Sequence, residues 1–227
     1  MAAPPATQRV MDLTQFSPSS ALLTVVVLAL APFVAVMVTS FTKLVVVLSL
    51  LRNALGLQQV PPNVVLNGLA LVLSIYVMYP VGTEMSARLQ GINDIGSSTQ
   101  AMLKAADTAK EPLRDFLVKH SRPLERAFFF RTAQKALKPE QAAKVTDRDF
   151  LVVVPAFTVS ELSVAFEIGF LIFLPFLVID LVISNILMAM GMMMLSPTTV
   201  SLPFKLLLFV LIDGWVKLTH GLILTYV

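Results

Sequence analysis

The stretch FLVVVPAFTVSELSVAFEIGFLIFLPFLVIDLVISNILMAMGMMML, Phe150–Leu195, decides the fold. It stays apolar for more than twice the roughly 20 residues that carry a helix across a bilayer core, yet Glu161, Glu167 and Asp180 lie inside it. The apolar character continues to Val227, with Lys205, Asp213 and Lys217 embedded in it. Each ionised group at the centre of a bilayer costs roughly 2.5–3.5 kcal/mol on insertion scales. Such groups persist only where partners neutralise them inside protein or along a water-lined path. The stretch also carries a run of sulfur, Met188-Ala-Met190-Gly-Met192-Met193-Met194, with five of the chain's eleven methionines in seven residues just before Pro197. Chemistry alone marks this region as the candidate functional site.

The whole chain fits that reading. A mean hydropathy of +0.81, 56% hydrophobic residues and only 14% charged residues exclude an ordinary soluble domain, and an integral membrane protein is expected. With no cysteine, disulfides, thiolate catalysis and cysteine metal sites are impossible. His120 and His220 stand too far apart in sequence to suggest a metal pair. The net charge of +3 does not point to nucleic acid, because residues 84–149 hold twelve of the seventeen basic and nine of the fourteen acidic residues, interspersed as on a solvated helical surface. Residues 1–20 form a polar segment whose Arg9 and Asp12 make a poor secretory n-region. The run from Ala21 therefore reads as a retained membrane segment.

Four apolar stretches follow: Ala21–Leu51 with Pro32 and Lys43 inside, Val64–Gly82 with Pro80, Phe150–Leu195 with Pro155 and Pro175, and Val200–Val227 with Pro203. The first and third are too long for one straight span. Proline removes a backbone hydrogen bond and bends a helix, which makes Pro32 and Pro175 the expected kinks. Kinked helices that project past the bilayer and short hairpins within it both remain open. Arg52–Asn63, ending in Pro61-Pro62, and Gly191–Thr199, broken at Ser196-Pro197, read as tight connections. The expected class is therefore an all-α membrane protein. It has a first helical hairpin at 21–83, a charged helical insert at 84–149 and a second hairpin at 150–227. The insert, with Leu103, Leu113, Phe116 and Leu117 among its charges, is too weakly apolar for a large core of its own and is expected to pack on other subunits. Arg52 favours a cytoplasmic short loop, which places the insert and both termini on the periplasmic side.

No phosphate-binding loop, dinucleotide turn, His-Glu-x-x-His or nucleophile elbow is present, and no cofactor is expected. Asp180 and Asp213 raise the idea of an intramembrane aspartyl protease, but their flanks, Val178-Ile179-Asp180-Leu181 and Leu211-Ile212-Asp213-Gly214-Trp215, lack the motifs of such enzymes. A non-enzyme is expected. The embedded charges nearly balance: Glu161, Glu167, Asp180 and Asp213 against Lys43, Lys205 and Lys217. Asp213 and Lys217, four apart, can pair along one helix, whereas Lys205 needs an acid from another helix or subunit. Structural ion pairing is the plainer account of these groups, and an ion-coupling relay the sharper one. For the methionines the plain account is gap filling in a core. The functional one is a deformable seal at the axis of a multi-copy pore, favoured by the glycine and proline that flank the run.

Several motifs together resemble the SctR/FliP family of type III secretion export-apparatus proteins, found in injectisomes and flagella. They are Ser49-Leu50-Leu51-Arg52-Asn53-Ala54, Gln58-Gln59-Val60-Pro61-Pro62-Asn63, Phe166–Phe176, Ile179-Asp180-Leu181-Val182, Met190-Gly191-Met192-Met193-Met194, Leu202-Pro203-Phe204-Lys205-Leu206 and Asp213-Gly214-Trp215. The resemblance covers nearly everything after residue 22. It implies a homo-oligomer, five copies being the family expectation, that joins the smaller membrane proteins SctS and SctT, with SctU nearby. Together they form a helical channel in the inner membrane that projects into the periplasm, surrounded by lipid and conducting unfolded secretion substrates. It also implies a methionine gasket at Met192, Met193 and Met194, and buried or intersubunit charge pairing that involves Lys43, Glu161, Glu167, Asp180, Lys205, Asp213 and Lys217. Ser184-Asn185-Ile186-Leu187 and Asp213–Leu218 resemble the injectisome branch more closely than the flagellar one. A small-molecule or ion transporter is the rival reading; the methionine loop and the lack of an internal repeat speak against it.

Overall fold

The computed structural model describes residues 18–90 and 107–227. Residues 1–17 of the polar segment lie outside the described residues, as do residues 91–106 of the insert with Leu103. The described regular elements are all helices: α1 Pro18–Met37, α2 Phe41–Ala54, α3 Asn63–Gln90, α4 Glu111–His120, α5 Pro123–Ala136, the short α6 Pro139–Ala142, α7 Phe150–Ala189, α8 Pro197–Leu211 and α9 Gly214–Leu224. The chain divides into two compact units, 1–35 and 36–227. In the first, α1 runs through Pro32 as one helix.

The second unit is organised along α7. Its 40 residues rise about 60 Å, twice the ~30 Å of a bilayer core. Helices α3 and α7 are each long and apolar enough to cross a membrane, and α8 with α9 meets the same test as one broken span bent by 60°. The two halves of the first long apolar stretch part at Val38–Ser40. Both α1 and α7 pass through their prolines, Pro32 and Pro175, as continuous helix. The marked bend falls elsewhere, where Asp213 adopts a left-handed conformation at φ 53°. A short polar side chain tolerates that region better than a bulky one.

Three apolar clusters stack along α7. Near its start, Val153 and Phe157 pack with Phe116 and Leu117 of α4 and with Tyr226. At mid-length, Ala165 meets Leu44, Val47 and Leu48 of α2, Leu66 and Ala70 of α3, and Leu222 of α9. Further along, Phe176 joins Leu51, Ala54 and Leu55 with Phe209 of α8. The buried positions of α2, Lys43, Leu44, Val47, Leu48, Leu51 and Ala54, recur every three to four residues, which lays one continuous stripe against the long helix. The sparse apolar side chains of the insert thus find their core within the chain, on the first turns of α7, and do not require another subunit for it. The short loop is also two residues shorter at its start than its polar sequence suggests, because α2 continues through Arg52 to Ala54.

Helices α2 and α7 approach closely at Gly169. A Cβ added there would lie 2.2 Å from Leu50 Cδ1 and 3.1 Å from Leu50 Cβ, so any larger side chain must push α2 away. Gly169→Ala is therefore expected to destabilise the detergent-purified protein by about 1–3 kcal/mol through overpacking. Leu50→Ala in the same chain should recover part of the loss in thermal unfolding. Equal stability of the single variant and the parent would refute the close contact.

Candidate functional site

Three charged groups embedded in the apolar helices are met inside the chain. The first set lies between α2 and α7. Lys43 and Glu161, each about 2% exposed, sit 3.4 Å apart from Nζ to Oε1. The Tyr226 hydroxyl donates to Glu161 Oε2, and Lys43 Nζ stands 3.6 Å above the centre of the Tyr226 ring, so the cation gains a π face as well as a carboxylate. Ser40 Oγ donates to Ser74 Oγ at 3.1 Å, which ties the start of α2 to α3. Phe116 stacks on Tyr226, and His120 meets the same ring edge-on at 5.1 Å. Burial, with the nearby Lys119 and Lys43 charges adding to it, pushes the His120 imidazole down to about 4. The neutral ring therefore serves as part of an aromatic wall. Tyr226 carried no signal in the sequence reading, because its partners lie far from it along the chain.

The second set lies at the α7–α8 hairpin. Lys205, buried on α8, places Nζ 2.6 Å from Asp180 Oδ2 of α7 and donates at 3.4 Å to the Ala54 carbonyl at the end of α2. Ser201 Oγ donates to Asp180 Oδ1 at 2.5 Å. Lys205 thus finds its acid on another helix of the same chain, and one ammonium joins α2, α7 and α8. The third acid, Glu167, is exposed and pairs with Arg122 Nη2 of the insert at 2.6 Å. The Arg122 backbone N–H donates to Ser160 Oγ at 2.9 Å.

Asp213 and Lys217 behave differently. Both are exposed, and among the described residues neither forms an ion pair with the other or with any other side chain. The bend at Asp213 turns the expected helical i,i+4 pair into a junction in which only backbone groups meet, the Lys217 N–H donating to the Asp213 carbonyl at 3.0 Å.

The methionines crown the hairpin between α7 and α8. Helix α7 ends in a paired backbone cap: the Met192 N–H donates to the Leu187 carbonyl at 2.9 Å and the Gly191 N–H to the Met188 carbonyl at 3.0 Å, with Gly191 at φ +72°. Glycine reaches that left-handed conformation without a steric cost, and these two bonds satisfy carbonyls that the helix end leaves open. Pro197 then starts α8, where its missing N–H costs nothing. The cap throws the intervening side chains outward: Met193 is 82% exposed and Met194 wholly so, with Met192 at 43%. Within this chain they fill no core.

The inter-helix clamp is open to direct measurement. Lys205→Ala leaves Asp180 without its cation, and breaking a buried pair from one side costs about 3–5 kcal/mol. Loss of thermal stability and of assembly is expected. Asp180→Leu together with Lys205→Met should restore much of the stability in thermal melts; a single variant as stable as the parent would remove the clamp.

Comparison with known proteins agrees with this architecture. The chain is 56% identical over 200 residues to the Yop proteins translocation protein R of Yersinia pestis, covering 88% of this chain and 92% of the relative. It is 52% identical over 210 residues to the hypersensitivity response secretion protein HrcR of Ralstonia nicotianae, covering 92% and 97% respectively. Identity to the flagellar biosynthetic protein FliP of Bacillus subtilis is 42% over 205 residues, covering 90% of each chain. The profile of the FliP family matches residues 22–222, and so this chain belongs to the FliP family, on the side of its secretion and translocation members.

Proposed function

We propose that this chain is a core pore-forming subunit of a type III secretion export gate, through which unfolded secreted proteins cross the bacterial inner membrane. Several copies, five by family resemblance, assemble with subunits of the SctS and SctT type, with a SctU-type protein nearby. The observation that carries the reading is the methionine loop: thioethers held out by a rigid cap at the tip of a helical hairpin, with no in-chain contact to absorb them. Side chains that are soft, apolar and flexible suit a seal that excludes ions and still yields to a passing polypeptide. The names of the relatives, which speak of secretion and translocation, support the same role. The ~60 Å helix α7 fits an assembly that stands out of the bilayer on the periplasmic side. A role in a flagellar gate is the second reading, favoured by the 42% identity to a flagellar member.

A clean deletion strain separates these readings. Loss of secreted effectors from the medium with motility intact is the expected result. Loss of motility instead would assign the protein to the flagellum, and survival of both would overturn export altogether. For the seal, replacement of Met192, Met193 and Met194 by Ala should leave the complex intact on native gels and raise ion leak across the membrane severalfold. A triple variant as tight as the parent would end the gasket assignment.

A further inference from the structure

The one pair of embedded charges without an in-chain partner sits on the two flanks of a single helix. Lys43, Lys205 and Arg122 take Glu161, Asp180 and Glu167, which leaves Asp213 and Lys217 on α9. Each lines its own groove. The Asp213 groove, of about 400 Å³, has walls of Leu55, Leu206, Phe209, Trp215 and Val216. It is firmly built: Trp215 meets Phe209 edge-on at 5.5 Å, and Gly214 lies so close to the Phe209 ring that an added Cβ would come within 2.1 Å of it. The Lys217 groove, of about 370 Å³, has walls of Ile168, Leu171, Leu218 and Leu222 and is open at Gly221, where an added Cβ would meet nothing within 4 Å.

Two apolar grooves of similar size, one carrying an anion and the other a cation, are complementary to each other. They lie on different flanks of the same helix, so they cannot close on one another within a chain. They match only between chains. We propose that neighbouring copies of this chain dock head to tail through α9, the Lys217 flank of one copy seated on the Asp213 flank of the next, so that the ammonium and the carboxylate pair across the interface. Different patches on the two sides of one subunit make a heterologous contact, the kind that propagates into rings or helical stacks. Opposite charge fixes its register, because any alternative that set like flanks together would juxtapose like charges in apolar surroundings. The inference rests on the homo-oligomeric reading above and names the surface that builds the oligomer.

The test exploits the absence of native cysteine. Two differently tagged copies are co-expressed with the remaining export subunits, one with Val216→Cys in the Asp213 groove and the other with Gly221→Cys in the Lys217 groove. Neither change touches the bend or the charges. Mild oxidation of membranes is expected to yield a disulfide between the two tags, with Val216→Cys pairs and Gly221→Cys pairs linking far less. A wild-type complex that assembles on native gels while the mixed disulfide fails to form would overturn this interface and leave the oligomeric reading standing. No assembly of the wild type would overturn both, as would capture of lipid alone at either cysteine. Linkage only to a different protein would assign the grooves to that partner and refute the proposal. Charge variants supply a second readout that needs no cysteine. Lys217→Glu sets two carboxylates together across the interface and should lower assembly by about tenfold or more. Adding Asp213→Asn should recover most of it. Like charges four apart within one helix account for only about twofold, so a small effect, or no recovery, refutes the pairing.

Discussion

An ammonium sealed among apolar helices has to be given its counter-ion by the fold, and in this protein that requirement sets how the helices lie. Lys43 meets Glu161 only if α2 lies along α7 in one register, and Lys205 meets Asp180 and the Ala54 carbonyl only if α8 returns along the same long helix. Between these two fixed points Gly169 admits Leu50, and the approach of α2 to α7 becomes close enough for the apolar stripe to exclude water. Packing area alone would tolerate a slide of one helical turn. Two buried ions of one sign held against two of the other would not, since a slip would leave each unpaired at a cost of several kcal/mol.

Much of this was legible in the sequence, for reasons that can be named. Long apolar runs gave the helical class, and the density of acids and bases within them pointed to pairing. The methionine run between Gly191 and Pro197 marked the hairpin tip, because the residues that stop and restart a helix have backbone requirements of their own. What stayed hidden depends on distance along the chain. Tyr226 closes over Lys43 and Glu161 from far away in sequence, and nothing in its neighbours announces it. Asp213 and Lys217 show the opposite failure: helical spacing suggested a pair, and a single left-handed residue at the bend undid it. Proline misled about where breaks fall, since α1 and α7 both run through theirs while the chain turns at Ser40 and at Asp213.

The insert also shows how burial depends on neighbours more than on composition. Taken alone, residues 84–149 offer too few apolar side chains for a core. The first turns of α7 extend far enough to supply Val153 and Phe157 to Phe116 and Leu117. The same helix therefore serves as membrane segment at one end and as soluble-domain core at the other. The Arg122–Glu167 pair then fastens the insert to the point where those two roles meet.

That double role has a consequence for the life of the chain in the cell. A helix twice as long as the membrane is thick, apolar and largely uncovered on its outer face, has no single solvent in which it is at rest. Lipid cannot clothe its full length, and water cannot either. A newly made copy that finds no companions is thus a standing target for the proteases that survey membranes, so its supply has to keep step with that of the proteins that sheathe it. The geometry of one helix in this way becomes a rule of dosage, enforced by turnover rather than by any separate regulator.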